Sequence, residues 1–167
     1  TEKPVIKSST KSITWPNRVS SYILTEKGYA SDDPKDIINH FDKMKETINK
    51  MTKEIDSLEP FKLYGKKNSK ILILGWGSTK GAILDSIGDL PVSFIQVLYL
   101  EPFSNKLIEI IKKSKNLLIV ENNATSQLSQ LIAEKAGLII PEKNKILRYD
   151  GRPFFADELN KEIKKRI

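Results

Sequence analysis

The stretch KILILGWGSTKGAILDSI, residues 70–87, decides the fold class, because a strand pattern passes into a helix pattern within it. Its apolar run at 71–76 is continuous, which is typical of a strand that is covered on both faces. Glycines at 75, 77 and 81 then frame the crossing to a helix near 78–87. The stretch predicts a parallel α/β sheet, and it leaves two roles for the turn: a phosphate-binding loop or a plain strand-to-helix connection.

The rest of the second half repeats this alternation of strand and helix. Apolar runs follow at 92–100, 117–121 and 145–149, and helical patterns lie near 104–114, 124–136 and from about 156. Strands that alternate with helices form a mostly parallel sheet with helices on both faces, joined by right-handed crossovers. We therefore predict an α/β domain over residues 65–167, which begins in the linker-like stretch GKKNSK.

Residues 1–64 form a different region whose main feature is a long helix over 34–58. Asp33 is a good N-cap, Pro34 suits the first helical position, and Pro60 follows the end. The apolar positions alternate spacings of four and three, at Ile37, Phe41, Met44, Ile48, Met51, Ile55 and Leu58. Such a narrow stripe indicates either a coiled-coil seam between subunits or a face that packs on its own or a neighbouring domain. His40 lies off the stripe and is interpreted as a surface histidine, and residues 20–24 are a weak strand candidate.

Composition excludes several kinds of chemistry. The chain has no cysteine and one histidine, so disulfides, thiolate catalysis, zinc clusters, iron–sulfur ligation and a histidine-based triad are not expected within it. We predict no catalytic residue and no metal ligand here. The net charge is +7, but the lysines are scattered along the sequence, which is typical of a solvated surface. We expect no nucleic-acid or membrane partner, a cytoplasmic location and, since the chain starts at Thr1, a fragment or a processed subunit.

The glycine-rich turn reads G-x-G-x-x-x-G from Gly75 to Gly81. Backbone N–H groups of Gly77 and of the helix start, with Ser78 or Thr79, can bind an anion there. The spacing fits neither the dinucleotide fingerprint nor the Walker loop, and the bulky Trp76 stands where backbone should approach a pyrophosphate. We therefore favour a plain strand-to-helix connection over a phosphate-binding loop. An independent nucleotide- or CoA-binding module is the alternative, and Glu101 would then be its ribose-binding carboxylate.

A second polar cluster, Glu121, Asn122 and Asn123, directly follows the buried run at 117–121. Ligands of open α/β sheets bind at the carboxyl ends of strands, where the strand order reverses. Asparagines are also good turn formers and helix caps, so a structural role is the alternative. A buried Glu121 needs a hydrogen-bonding partner, which the N-terminal amides of the next helix can supply.

Four motifs in order carry a family resemblance. They are ILILGWGSTKGAILDSI (71–87), VLYLEPF (97–103), LLIVENNATSQLSQLI (117–132) and ILRYDGRPF (146–154). Together they resemble the C-terminal part of the alpha subunit of 2-oxoacid:ferredoxin oxidoreductases, most closely the 2-oxoglutarate type. TEKGYASDDP (25–34) and the long helix resemble the segment before it, although only Glu26 and Gly28 match the family's His-Asp-Glu-x-Gly pattern. The family also usually has glycine where Ser126 stands.

The resemblance implies a transketolase C-terminal-like domain. Such a domain has three layers, α/β/α, around a five-stranded sheet of order 1-3-2-4-5 in which strand 1 is antiparallel. Strand 1 would then come from near residues 20–24. The strand order would reverse between the strands ILILG (71–75) and LLIVE (117–121). The candidate anion- or ligand-binding residues would then lie side by side at this switch point: Gly75, Gly77, Ser78, Thr79, Glu121, Asn122 and Asn123.

The resemblance also implies an activity for the whole enzyme. Such enzymes decarboxylate a 2-oxoacid on thiamine diphosphate and magnesium, pass electrons through a [4Fe-4S] cluster to ferredoxin, and form an acyl-CoA. This chain lacks the family's G-D-G…N-N segment and any cysteine. We therefore expect it to bind none of these cofactors and to be inactive alone. Its expected role is scaffolding and assembly, with the beta subunit and the other alpha domains as partners in an oligomer.

Overall fold

The computed structural model describes residues 22–25 and 29–167 of the chain. Contacts divide the chain into two units, residues 1–48 and 49–167. The described strands are β1 (Ile23–Leu24), β2 (Ala30–Ser31), β3 (Phe61–Gly65), β4 (Ile71–Trp76), β5 (Ser93–Val97), β6 (Asn116–Glu121) and β7 (Lys145–Leu147). The described helices are α1 (Pro34–Ser57), α2 (Thr79–Ile87), α3 (Asn105–Lys113), α4 (Gln127–Ala136) and α5 (Ala156–Lys164), with a short 3-10 turn at Glu142–Asn144.

The second unit contains a five-stranded sheet in the order β3-β5-β4-β6-β7. Strands β4 to β7 are mutually parallel, and β3 pairs antiparallel with β5. Numbered from β3 onward, this is the order 1-3-2-4-5 with the first strand antiparallel. The predicted three-layer α/β/α architecture is confirmed.

The position predicted for the antiparallel strand was wrong. It is Phe61–Gly65, whereas Ile23–Leu24 pairs with β2 in a separate two-stranded sheet, and residues 20 and 21 lie outside the described part. The strand is hard to see in the sequence because none of its five residues is buried and its residues form no apolar run. Tyr64 stacks on Phe94 at 5.6 Å and Phe61 packs against the other apolar cluster, but both are only partly buried, and Leu63 stays half exposed. The boundary predicted between residues 64 and 65 falls inside this strand.

Alternating side chains of the central strand pack on opposite faces of the sheet. Leu72 and Leu74 belong to the apolar cluster beneath α3 and α4, and Ile73 belongs to the cluster beneath α2 and α5. Both clusters are fully buried at their centres. Burial on both faces explains why residues 71–76 read as a continuous apolar run.

Helix α1 begins as the sequence predicts. The Oδ1 atom of Asp33 accepts the N–H of Lys35 at 2.7 Å, which satisfies one of the free donors of the first turn. Of the apolar stripe, Phe41, Met44 and Met51 are each nearly half exposed. His40 is exposed, as predicted. The coiled-coil seam between subunits stays a prediction. No helix among the described residues is long and apolar enough to cross a membrane.

Candidate functional site

The two predicted loops meet at the carboxyl edge of the sheet, where the strand order reverses. After β4 the chain crosses to β5, and after β6 it crosses to β7 on the other side, so a crevice opens between the ends of β4 and β6. A cavity of about 130 Å³ lies there, lined by Trp76, Gly77, Ser78, Thr79, Asn122 and Asn123. The predicted juxtaposition is confirmed. That this crevice binds a ligand stays a prediction.

Glu121 lies beneath the crevice and is fully buried. Its Oε1 atom accepts hydrogen bonds from the indole Nε1 of Trp76, from Nδ2 of Asn123 and from the backbone N–H of Leu128, at 3.0, 3.0 and 2.9 Å. Its Oε2 atom accepts one from the hydroxyl of Ser126 at 3.0 Å. The donation by Leu128 N–H, at the start of α4, is the helix amide that the sequence predicted. Four donors satisfy the carboxylate, so it links the two loops structurally.

The start of α4 shows why the sequence departs from glycine at Ser126. This residue has a φ of +52°, in the left-handed region where glycine is favoured. The strain is offset because the hydroxyl of Ser126 donates to Glu121. The side-chain oxygen of Asn123 accepts the N–H of Thr125 at 3.2 Å, which closes the turn. Asn123 is therefore a turn residue as well as a wall of the crevice.

The glycine-rich turn is tight for a packing reason. A Cβ atom on Gly75 would lie 2.6 Å from Cδ1 of Ile83 and 2.9 Å from Oγ1 of Thr79, so glycine lets α2 approach β4 closely. Gly77 has a φ of +58° and turns the chain. The hydroxyl of Thr79 is buried and donates to the carbonyl of Trp76 at 2.8 Å. Its donor is therefore engaged within the turn itself.

Two polar side chains of the crevice remain open to solvent. Ser78 and Asn122 are exposed, and neither side chain hydrogen-bonds to any other described residue. Together with the first amides of α2 they can hold a small anion or ordered water. The volume is well below the roughly 300–1,000 Å³ of small-molecule sites. This geometry favours a strand-to-helix connection over a nucleotide site.

Glu101 does not line this crevice. Its carboxylate lies 3.2 Å from Nζ of Lys135, on α4. Hydrogen bonds to Glu134 and then to Glu101 raise the pKa of Lys135 above its ordinary value. The ribose-binding role considered for Glu101 therefore finds no support in the structure, and its carboxylate serves an exposed ion pair.

Sequence reasoning missed the neighbouring loop after β7. A cavity of about 400 Å³ lies there, lined by Asn122, Arg148, Tyr149, Gly151, Arg152 and Pro153. Arg148 is largely buried, pairs with Glu158 and stacks over Phe154 and Phe155 at 5.3 and 5.6 Å. Because both its charge and its planar face are engaged, Arg148 fixes the loop. The only signal in the sequence was the motif ILRYDGRPF itself.

Metal-binding side chains do not come together in the described part of the chain. No group of three or more histidine, cysteine, aspartate or glutamate residues there can hold a metal ion. The sequence contains no cysteine, so the chain has no thiolate for an iron–sulfur cluster. The residues present thus do not fit such a cluster.

Comparison with known proteins gives relatives among the alpha subunits of 2-oxoacid:ferredoxin oxidoreductases. Over 145 residues the chain is 31% identical to subunit alpha of 2-oxoacid:ferredoxin oxidoreductase 1 from Sulfurisphaera tokodaii, a match that covers 85% of the chain and 23% of the relative. It is 30% identical over 145 residues to the 2-oxoacid:ferredoxin oxidoreductase subunit alpha from Saccharolobus solfataricus, a match that covers 83% of the chain and 23% of the relative. The chain is homologous to part of these alpha subunits. It spans about a quarter of their length. No protein-family model matches it.

A solved structure shares the fold. The chain superposes with a TM-score of 0.75 on 2-oxoglutarate:ferredoxin oxidoreductase from Magnetococcus marinus, a structure with 2-oxoglutarate, coenzyme A and succinyl-CoA bound. The superposition covers 95% of this chain and 28% of that one, at 19% identity. At this identity the likeness establishes the α/β architecture alone.

Proposed function

We propose that the chain is part of the alpha subunit of a 2-oxoacid:ferredoxin oxidoreductase and forms its transketolase C-terminal-like domain. The observation that carries the proposal is the 31% identity over 145 residues to alpha subunits of such enzymes, in a chain whose sheet has the expected strand order. The whole enzyme would oxidatively decarboxylate a 2-oxoacid to an acyl-CoA and reduce ferredoxin. The substrate would be a 2-oxoacid such as 2-oxoglutarate, because the four motifs most closely resemble the 2-oxoglutarate type.

Within that enzyme we assign this chain a scaffolding and assembly role. Glu121 is the one carboxylate buried at the switch point among the described residues. Its oxygens already accept four hydrogen bonds from the protein, so the carboxylate is not available to a substrate. Thiamine diphosphate, magnesium, the [4Fe-4S] cluster and CoA would be held by other parts of the enzyme. The beta subunit and the remaining alpha domains would be its partners, in the cytoplasm.

One surface suited to such assembly is the apolar stripe of α1. Phe41, Met44 and Met51 each keep nearly half of their side chain exposed, which is unusual for neighbouring large apolar residues of one helix. We assign them to contacts within the oligomer. Replacing Met44 and Ile48 together with lysine should then reduce the sedimentation coefficient of the assembly, whereas Lys45→Glu on the same helix should not change it.

The experiment that tests the proposal is purification of the chain, through an affinity tag, from the cells that encode it. Mass spectrometry should find it linked to a thiamine-binding G-D-G segment and to a cysteine-rich cluster segment, either in a longer polypeptide or in a partner subunit. A stable assembly without those segments would contradict the proposal.

The alternative of an independent nucleotide- or CoA-binding module makes a different prediction. The purified chain should then melt at a higher temperature with millimolar NADP or CoA, because ligand at about 100 times its dissociation constant adds about 2.7 kcal/mol. The crevice of about 130 Å³ supports the scaffold instead. We therefore expect no shift with either ligand.

A further inference from the structure

The lysines that look scattered in the sequence collect at one end of the sheet. We call this end, where β4, β5, β6 and β7 begin, the amino edge. Three hydrogen bonds between the segments there make it a continuous surface: Ser69 Oγ to the carbonyl of Pro91, Asn144 Nδ2 to the carbonyl of Leu117, and Arg166 Nε to the carbonyl of Lys143. Because β4 and β6 also pair at their starts, Ile71 with Asn116, residues 66–70, the β5 start, the β6 start, the loop before β7 and the end of α5 lie together.

The charge of this edge is strongly unbalanced. Its cations are Lys66, Lys67, Lys70, Lys112, Lys113, Lys115, Lys143, Lys145, Lys164, Lys165 and Arg166. Its carboxylates are Asp85, Asp89, Glu109, Glu142 and Glu162. The excess of positive charge thus accounts for nearly all of the chain's net +7. The topology brings these lysines together, because in a parallel sheet each helix runs back to the edge at which the next strand begins.

Most of these cations have no counter-charge. Lys113, Lys145, Lys165 and Arg166 form the ion pairs of this edge with carboxylates of their own segments. Seven lysines have no ion-pair partner within 4.0 Å among the described residues: Lys66, Lys67, Lys70, Lys112, Lys115, Lys143 and Lys164. At the carboxyl edge, Arg148 and Arg152 are both paired, while Lys80 and Lys106 have no ion-pair partner within 4.0 Å among the described residues. Like charges held together attract an oppositely charged partner and raise its association rate.

An exposed apolar side chain stands in the loop before β7. Ile139 is 84% exposed, while its neighbour Ile140 is buried in the core. Lys143 and Lys145 follow within the same segment. An apolar residue within a charged rim is the arrangement of protein–protein interfaces, in which the apolar contact supplies affinity and the charges orient the partner.

We propose that the amino edge is a docking surface for an acidic partner protein. The partner that fits it carries a carboxylate-rich surface with an apolar side chain to meet Ile139. This inference depends on the placement of charges in residues 49–167 and does not rest on the oxidoreductase assignment.

The same observations disfavour a nucleic-acid partner. Among the described residues of 49–167, the exposed aromatic side chains are Tyr99, Tyr149 and Phe155, and all follow carboxyl ends of strands. The amino edge therefore offers no platform on which bases can stack. Ten of its eleven cations are lysines, which lack the bidentate fork with which arginine grips phosphate.

The test uses the full chain and three labelled probes of similar length: an acidic peptide with glutamates around leucines, poly-L-glutamate, and duplex DNA, with phosphatidylserine vesicles as a fourth ligand. The edge variant combines Lys66→Glu, Lys67→Glu, Lys115→Glu and Lys143→Glu. A matched control with the same change in charge combines Lys53→Glu, Lys62→Glu, Lys80→Glu and Lys106→Glu. Fluorescence anisotropy gives the affinities, and vesicle sedimentation gives the lipid binding.

The wild-type chain should bind the leucine-containing peptide more tightly than DNA or vesicles, and the affinity should fall as salt rises from about 50 mM to about 200 mM. The edge variant should lose about tenfold or more in affinity, and the control at most about twofold. Ile139→Ser should weaken the binding of the leucine-containing peptide but not the binding of poly-L-glutamate. The proposal is overturned if DNA or vesicles bind as tightly as the peptide, if both quadruple variants lose affinity equally, or if no peptide binds at low salt.

Discussion

The indole Nε1 of Trp76 donates a hydrogen bond of 3.0 Å to the buried carboxylate of Glu121, across 45 residues of sequence. This bond ties the end of β4 to the end of β6 at the point where the strand order reverses. In an enzyme of this fold the same place is the usual ligand site. Here the bulky indole that argued against a phosphate loop has a role of its own, as a donor that satisfies the buried acid.

Replacing Glu121 with glutamine should destabilise the chain by about 2 kcal/mol, because a charge-assisted acceptor of four hydrogen bonds is lost and an amide donor is placed among donors. Urea unfolding followed by circular dichroism measures this change. Glu142→Gln, at an exposed carboxylate, is the control and should change the free energy of unfolding by less than about 0.5 kcal/mol. Equal, small effects of both variants would show that the network contributes nothing.

Gly75→Ala and Gly81→Ala should change the stability of the chain in opposite directions. The new methyl group at 75 would overlap Ile83 and Thr79 and cost about 1–3 kcal/mol. At 81, within α2, nothing lies within 4 Å of the new Cβ, and alanine should stabilise the helix by about 0.5–1 kcal/mol. Thermal melting of the two variants checks the prediction. A stable Gly75→Ala variant would remove the packing explanation for the glycine-rich turn.

Ser126 separates backbone strain from hydrogen bonding. Ser126→Ala keeps the left-handed backbone and loses the hydroxyl that donates to Glu121, so it should cost about 1–3 kcal/mol. Ser126→Gly loses the same hydrogen bond but relieves the backbone by about 1 kcal/mol, so it should be the milder variant. Chemical denaturation of both gives the order. If alanine proves as mild as glycine, the strain at this residue is insignificant.

Asp56, near the end of α1, holds the start of α3. Burial raises the pKa of its carboxyl, but hydrogen bonds from Ser104, Asn105 and the backbone of Lys106 outweigh it and hold the pKa below its ordinary value of 3.8. A carboxylate with a lowered pKa stabilises the folded chain above its unfolded pKa, and this stabilisation is lost as the pH falls through the folded value. Asp56→Asn should therefore cost about 1 kcal/mol at pH 7, and the difference from wild type should shrink below about pH 4.

Unfolding measured between neutral and acidic pH tests this dependence. Asp42→Asn, at an exposed residue in the middle of the same helix, serves as the control and should show a smaller effect at every pH. A cost of Asp56→Asn that stays constant on acidification would contradict the assigned role of the charge.

The sequence was sufficient to predict the elements that carry strong local signals. Residues 71–76 were placed correctly because their apolar run is continuous, and the helix at 34–58 because its cap and stripe are both local signals. The edge strand at 61–65 was missed because an edge strand buries little, and its short run ends in a glycine and two lysines that read as a linker.

The position of the candidate site could be predicted from the sequence, but the hydrogen bonds to Glu121 could not. Its loops could be put side by side because the carboxyl ends of parallel strands meet at one edge. The indole donor to Glu121 was not foreseen, since nothing local in the sequence pairs residues 76 and 121. The charged amino edge was likewise hidden, because its lysines come from four separate segments that only the topology unites.

The most direct test of the central claim is the enzymatic activity of the assembly purified through a tag on this chain. We expect it to reduce ferredoxin when given 2-oxoglutarate and CoA together, and not when either is withheld, while the chain alone reduces nothing under the same conditions. An intact assembly that contains the chain but shows no 2-oxoacid-dependent reduction of ferredoxin, with 2-oxoglutarate, pyruvate or any other 2-oxoacid supplied, would contradict the account.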